Sequence, residues 1–231
     1  MLPAPVIYGD DGTFARAAAD AMAAAIRSAL QRKERCIVGL SGGSTPRAAY
    51  ALLGQMPDID WFHVWLFLAD ERCAPPGDPK TNAQLVHGTL LAGATVPQSQ
   101  CIFPDTGLPP AACAREYDAV LGDLLRDGCD LLVLGMGDDG HTASLFPPVP
   151  DEAYRSSYAM HAVVPAASGA PVRDRVSITF PAMDRAEHIL VLLSGGAKRD
   201  AWAAMAASDD DRLWPLLRPL GTGRATVLAQ W

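Results

Sequence analysis

The chain has 231 residues, 49% of them hydrophobic and 19% charged, with 19 Lys+Arg against 26 Asp+Glu for a formal charge of −7. It is too apolar for a disordered protein, and its acidity argues against a nucleic-acid partner. The length suits a single α/β domain over residues 1–231, and an anionic small molecule fits such a chain only where a few cations share one pocket.

Residues Met1 to Asp11 show neither the basic nor the apolar region of a signal peptide and leave no room for a helix-turn-helix. Phe14–Arg32 is predicted as an Ala-rich amphipathic helix. Arg16, Asp20 and Arg27 break its apolar stretch well short of a membrane span, so no membrane partner is expected. Strands are then predicted at Cys36–Leu40, His63–Ala69, Asp130–Gly135, Tyr158–Val164, Val176–Phe180, His188–Leu193 and Ala225–Leu228. Helices are predicted between them at Arg47–Leu53, Asn82–Leu91, Ala111–Arg126 and Lys198–Ala207. Several strand runs are apolar on consecutive residues, as in parallel strands covered on both faces. The alternation predicts an α/β fold: an open doubly wound, mostly parallel sheet with helices on both faces, Rossmann-like, binding ligands beyond the carboxyl ends of its strands. Proline-rich stretches at Pro75–Pro79, Pro104–Pro110 and Pro147–Pro150 are expected to be surface connections. The five cysteines are odd in number, form no Cys-x-x-Cys and join no His/Cys cluster. That argues against a disulfide framework and a zinc site, and it points to a reducing cytoplasm.

Four turns carry the chemistry. The first, Gly39-Leu40-Ser41-Gly42-Gly43-Ser44-Thr45-Pro46, joins a buried strand to a helix through small residues. Thr45 is the expected N-cap, and the open N–H groups suit an anion. The same residues match a Gly-x-Ser-x-Gly nucleophile elbow, with Ser41, Asp70 and His141 in hydrolase order. Too little chain precedes it, however, to complete an oxyanion hole. The Walker A spacing is absent. The second turn, Asp70-Glu71-Arg72, places three charges directly after an apolar strand. Beside it Cys73 lacks the neighbouring His that a cysteine nucleophile needs.

The third turn, Gly135-Met136-Gly137-Asp138-Asp139-Gly140-His141, spells Gly-x-Gly-x-x-Gly, yet Pro147, Pro148 and Pro150 prevent the helix a dinucleotide site requires. Asp139 and His141 remain, presented between glycines. An imidazole there, with an ordinary pKa near ~6.5, can activate water near neutral pH. The fourth joins Arg175 to Ser194-Gly195-Gly196-Ala197-Lys198, a second strand–Ser-Gly-Gly–helix unit. Arg72, Arg175 and Lys198 are the candidate cationic cluster.

In this order, from Leu40 to about Trp202, these segments resemble the 6-phosphogluconolactonase family and the wider superfamily that includes glucosamine-6-phosphate deaminase/isomerase. Leu40–Pro46, Asp70–Arg72 with Asn82, and Gly137–Pro147 carry the resemblance together. Asp70-Glu71-Arg72 and Thr142-Ala143-Ser144-Leu145-Phe146 are similar to the lactonase branch, where the deaminase branch usually has Asp-Glu-Tyr and His-Ile-Ala-Phe-Asn. Pro148 departs from the glycine that lactonases commonly carry. The resemblance implies a glucosamine-6-phosphate-deaminase-like fold. It further implies that Gly42, Gly43, Ser44, Thr45, Arg72, Arg175 and Lys198 surround a substrate phosphate and that Asn82 lines the site. His141 would act on a lactone with Asp70 nearby, and Asp139 or Asp70 would orient the imidazole or the water. Arg72 or backbone N–H groups would stabilise the oxyanion. No metal, cofactor or obligate protein partner is implied. Three alternatives stay open: an isomerase/deaminase, a sugar-phosphate sensor without turnover, and a serine hydrolase using Ser41.

Overall fold

The computed structural model describes residues 2–155, 157–168 and 170–231. Its strands are β1 (Val6–Tyr8), β2 (Cys36–Leu40), β3 (Val64–Leu68), β4 (Asp70–Arg72), β5 (Cys101–Ile102), β6 (Cys129–Leu134), β7 (Ala159–Val163), β8 (Asp174–Ile178), β9 (Ala186–Ser194) and β10 (Ala225–Gln230). The main helices are α1 (Asp11–Arg32), α2 (Arg47–Gly54), α3 (Asn82–His87), α4 (Pro110–Leu124), α5 (Phe180–Met183), α6 (Gly196–Ala206) and α7 (Leu217–Leu220). No described helix is long and apolar enough to cross a membrane.

Seven strands form a parallel sheet in the order β1-β10-β9-β6-β2-β3-β5. After β2 the chain builds outward through β3 to β5. It then returns to the other side of β2 with β6 and builds through β9 and β10. The two directions diverge between β2 and β6, and in an open sheet such a divergence leaves a crevice beyond the carboxyl ends. Successive residues face opposite layers. Val38, Leu66, Val133 and Leu192 join α1 and α2 in one apolar cluster, while Ile37, Phe67, Leu132 and Val191 join α4 and α6 in the other. This two-sided burial explains the unbroken apolar runs in the sequence.

The predicted helices appear with small shifts, except that α3 ends at His87 and a 3-10 turn covers Leu90–Ala92. The short strands β1, β4 and β5 were not foreseen, being two or three residues long. A larger difference concerns β7 and β8. These do not join the parallel sheet but form a second, antiparallel one with β4, in the order β4-β8-β7. At Ala69 the chain leaves the large sheet, its N–H bonded to Leu40 O and its carbonyl accepting from Ile178 N. Asp70–Arg72 is therefore a strand of the second sheet, with Asp70 and Glu71 buried.

The end of β3 is anchored from the side. Beyond Phe67 its neighbour β5 offers no further partner. The buried Tyr117 hydroxyl instead accepts from Leu68 N at 2.9 Å and donates to Leu68 O at 2.8 Å. Tyr117→Phe strands both backbone groups, each costing roughly 1–3 kcal/mol when buried without a partner. Urea unfolding of that variant should show a loss of about 2–6 kcal/mol.

Candidate active site

A cleft of about 530 Å³ opens where β2, β6 and β9 end, at the divergence of the sheet. Gly42 to Thr45, Asp70, Arg72, Asp139, His141, Arg175 and Lys198 all line it. Val164, Ser168 and Ala170, from the connection between β7 and β8, add a wall that the sequence did not announce.

On one side stands the turn after β2. Gly43 has φ 92°, in the left-handed region that favours glycine. Gly42 lies so close to Asn82 that an added Cβ would fall 1.8 Å from Asn82 Oδ1. Thr45 does not cap α2, which starts after Pro46 without a side-chain cap. Its hydroxyl instead accepts from Lys198 Nζ at 3.2 Å and pairs with Ser194 Oγ at 3.1 Å. The two Ser-Gly-Gly turns thus meet across the sheet and hold the lysine between them. Burial pushes the Lys198 pKa down, with Asp138 acting in the opposite direction. Ser41 is committed elsewhere: its Oγ donates to Val133 O at 2.8 Å. Bound to the main chain rather than to His141, it is not presented as a nucleophile.

Facing this turn is the small sheet. Antiparallel register sets Arg72 opposite Arg175 and Asp70 opposite Ser177. Alternation along β4 puts Asp70 and Arg72 on one face and Glu71 on the other. Glu71, 1% exposed, accepts from the N–H groups of Arg72, Asn82 and Ala83 at 2.7 Å each and anchors the start of α3. Burial pushes its pKa up against the pull of those bonds.

Asp70 accepts from Asn82 Nδ2 at 2.9 Å and from Ser144 Oγ at 2.6 Å, with Arg175 Nη1 at 3.8 Å. Burial lowers the Arg175 pKa and Asp70 opposes that shift, while the guanidinium stays charged. Asn82, expected on the wall of the site, is not on it. It is 1% exposed and lies behind Asp70 and Gly42, because its amide donates to both the side chain and the carbonyl of Asp70. Lys198 is also separate from the arginines: all three cations line the cleft, but from two walls.

The third element is the turn after β6. Gly137 N donates to His141 O at 2.8 Å and Gly140 N to Gly137 O at 3.0 Å, closing a loop that presents the imidazole. A Cβ on Gly137 would come within 2.2 Å of His141 Nδ1, and Phe146 stacks on the ring at 4.3 Å between centroids. His141 Nδ1 is hydrogen-bonded to Asp139 Oδ1. Asp70 makes no such contact, so Asp139 is the carboxylate that meets the imidazole. Burial opposes ionisation of Asp139, but the hydrogen bond and charge of His141 outweigh it and hold the carboxyl below its ordinary pKa. With Nδ1 engaged, Nε2 is the nitrogen left to accept a proton.

A family model described as glucosamine-6-phosphate isomerases/6-phosphogluconolactonase matches residues 9–227. The chain belongs to this family. A 6-phosphogluconolactonase of Rhizobium meliloti is 32% identical over 97% of this chain and 97% of its own length. The GDH/6PGL endoplasmic bifunctional protein of Oryctolagus cuniculus is 33% identical over 94% of this chain, which spans 28% of that protein's length. A solved 6-phosphogluconolactonase from Shewanella baltica superposes with a TM-score of 0.85 at 25% identity and full coverage of both chains. Within this family fold, the divergence of β2 and β6 is what sets the Gly42–Thr45 turn beside the His141 turn.

Asp139 gives a direct test of the pairing. In wild type its carboxyl should titrate, by carbon NMR, below the ~3.9 of an ordinary aspartate. His141→Ala removes the hydrogen bond and the charge but leaves most of the burial, so the midpoint should rise. A midpoint that stayed put would separate Asp139 from the imidazole.

Proposed function

We propose that this cleft hydrolyses 6-phospho-D-glucono-1,5-lactone to 6-phospho-D-gluconate, the lactone step of the oxidative pentose phosphate route. The observation that carries the reading is the Asp139–His141 pair, set in one cleft with Arg72, Arg175 and Lys198. The lactonase names of relatives that match this chain over nearly its full length support it.

The chemistry fits the groups present. A six-membered lactone is an activated ester, so water can attack C1 without a covalent intermediate. His141 Nε2 takes a proton from the water as the C1–O bond forms, while Asp139 holds Nδ1 and stabilises the imidazolium. The tetrahedral oxyanion collapses with cleavage of the bond between C1 and the ring oxygen, and His141 returns the proton to that oxygen. Acid–base assistance of this kind is worth on the order of 10²–10⁴-fold. Lys198 and the N–H groups of Gly42 to Thr45 receive the phosphate. Arg72 and Arg175, bracketing Asp70, supply the positive potential that the phosphate and the developing oxyanion require. The steps use only this chain's residues and water. The two apolar clusters on a single sheet support reading residues 1–231 as one domain. The five unpaired cysteines support the cytoplasm as its compartment.

Lactone consumption measured at mildly acidic pH, where spontaneous hydrolysis is slow, tests the activity. His141→Ala should lower kcat by at least ~10²-fold. Ammonia release from glucosamine 6-phosphate, without lactone turnover, would favour the isomerase branch instead. Lys198 supplies a pH signature. Because its pKa is depressed, the free enzyme should lose that ammonium at lower pH than ordinary lysine does, and KM should climb correspondingly early on the alkaline side. Lys198→Arg, charged throughout, should remove the climb; an unchanged profile would take Lys198 out of phosphate binding.

A further inference from the structure

The base and two of the three cations of this cleft belong to different sheets. His141 stands on the turn after β6, in the large parallel sheet, while Asp70, Arg72 and Arg175 stand on β4 and β8 of the small one. A lactone that meets His141 and Lys198 from the large sheet and Arg72 and Arg175 from the small one requires the two sheets to be held in register.

Ser144, three residues beyond His141, bridges them twice. It is 1% exposed; its Oγ donates to Asp70 Oδ2 at 2.6 Å, and its backbone N–H donates to Ser177 Oγ at 3.0 Å. Register sets Asp70 and Ser177 opposite each other on β4 and β8, so both bonds land on one spot of the small sheet. The segment between is taut. Ala143 has φ 49°, a left-handed conformation unfavourable for a residue with a Cβ, and Thr142 Oγ1 donates back to Gly135 O at 2.8 Å. Asp70 Oδ2 is also the oxygen nearest Arg175, at 3.8 Å. One hydroxyl therefore fixes the carboxylate that in turn faces the guanidinium.

Resting on the lactonase reading above, we infer that Ser144 is a positioning residue that clasps the His141 turn to the Asp70 strand and so sets the base against the substrate. It acts through Asp70 and does not touch the lactone. The phosphate contacts of Gly42 to Thr45 and Lys198 lie outside the clasp, so its loss falls mainly on the chemical step.

Steady-state kinetics of Ser144→Ala should show kcat reduced ~10–100-fold, the scale of a misplaced catalytic group, with KM changed far less. Ser144→Thr, which keeps the hydroxyl, should recover part of the loss. In an Asp70→Ala background, adding Ser144→Ala should cost no more than about a further twofold, because the bond is already gone. Losses that multiply, or a Ser144→Ala kcat within about twofold of wild type, overturn the inference. The His141 ring resonances, read by NMR, provide a measure independent of turnover. Ser144→Ala shifts or broadens them if the clasp holds the turn, and unchanged resonances overturn it. A wild-type chain that fails to hydrolyse the lactone defeats the functional reading instead, and the clasp is then decided on the resonances alone.

Discussion

Everything in this molecule depends on the pairing of β2 with β6. The chain diverges from that pair in both directions, and apolar layers bury both faces of the central strands. What remains open is the cleft at the carboxyl end. Ser41 to Thr45 leave β2 there and Gly135 to His141 leave β6 there. Neither turn could be placed elsewhere without breaking the alternation that feeds two cores at once. Gly39 shows how tightly the arrangement is packed: an added Cβ would meet Phe67 Cζ at 2.4 Å and Leu132 Cδ1 at 2.6 Å.

The electrostatics are local. A net charge of −7 describes the surface, whereas three cations line a cleft at the sheet's open end. Arg72 and Arg175 tolerate close approach because cross-strand register also brings Asp70 to the same face. Lys198 works from the opposite wall, drawn in by Thr45 and attended by Asp138. An extended anion can be held at separate points by such a division. A compact cluster of three cations would instead pay for mutual repulsion whenever the cleft was empty.

The sequence was most legible where a single element decided the outcome. Strands β2, β6 and β9 announce themselves by unbroken apolar runs, and the glycine-flanked His141 turn by a composition that packing alone does not explain. What could not be read were relations between segments distant in the chain. Nothing local in Tyr158–Val164 or Val176–Phe180 distinguishes a strand of the large sheet from one of a small antiparallel sheet, since the difference lies in pairing with three residues, Asp70–Arg72. Thr45 has the chemistry of an N-cap, but a lysine 153 positions away claims its hydroxyl. Asn82 falls among the motif residues, yet its bonds to Asp70 and the close approach of Gly42 put it behind the wall.

Asp70 and Asp139 illustrate how place assigns role to identical groups. Asp139 stands on a solvent-facing turn, half-exposed, and its principal partner is an imidazole. In the proposed mechanism it would respond to the charge that appears on His141 when a proton is taken. Asp70 is enclosed, with both oxygens engaged by neutral donors and a guanidinium beyond. A carboxylate so held has little freedom to follow a moving group. It is suited instead to being a fixed charge around which other groups are arranged. The same side chain thus serves as a responsive partner in one turn and a rigid reference in the other. The difference is set by the hydrogen bonds each site supplies and not by the residue itself.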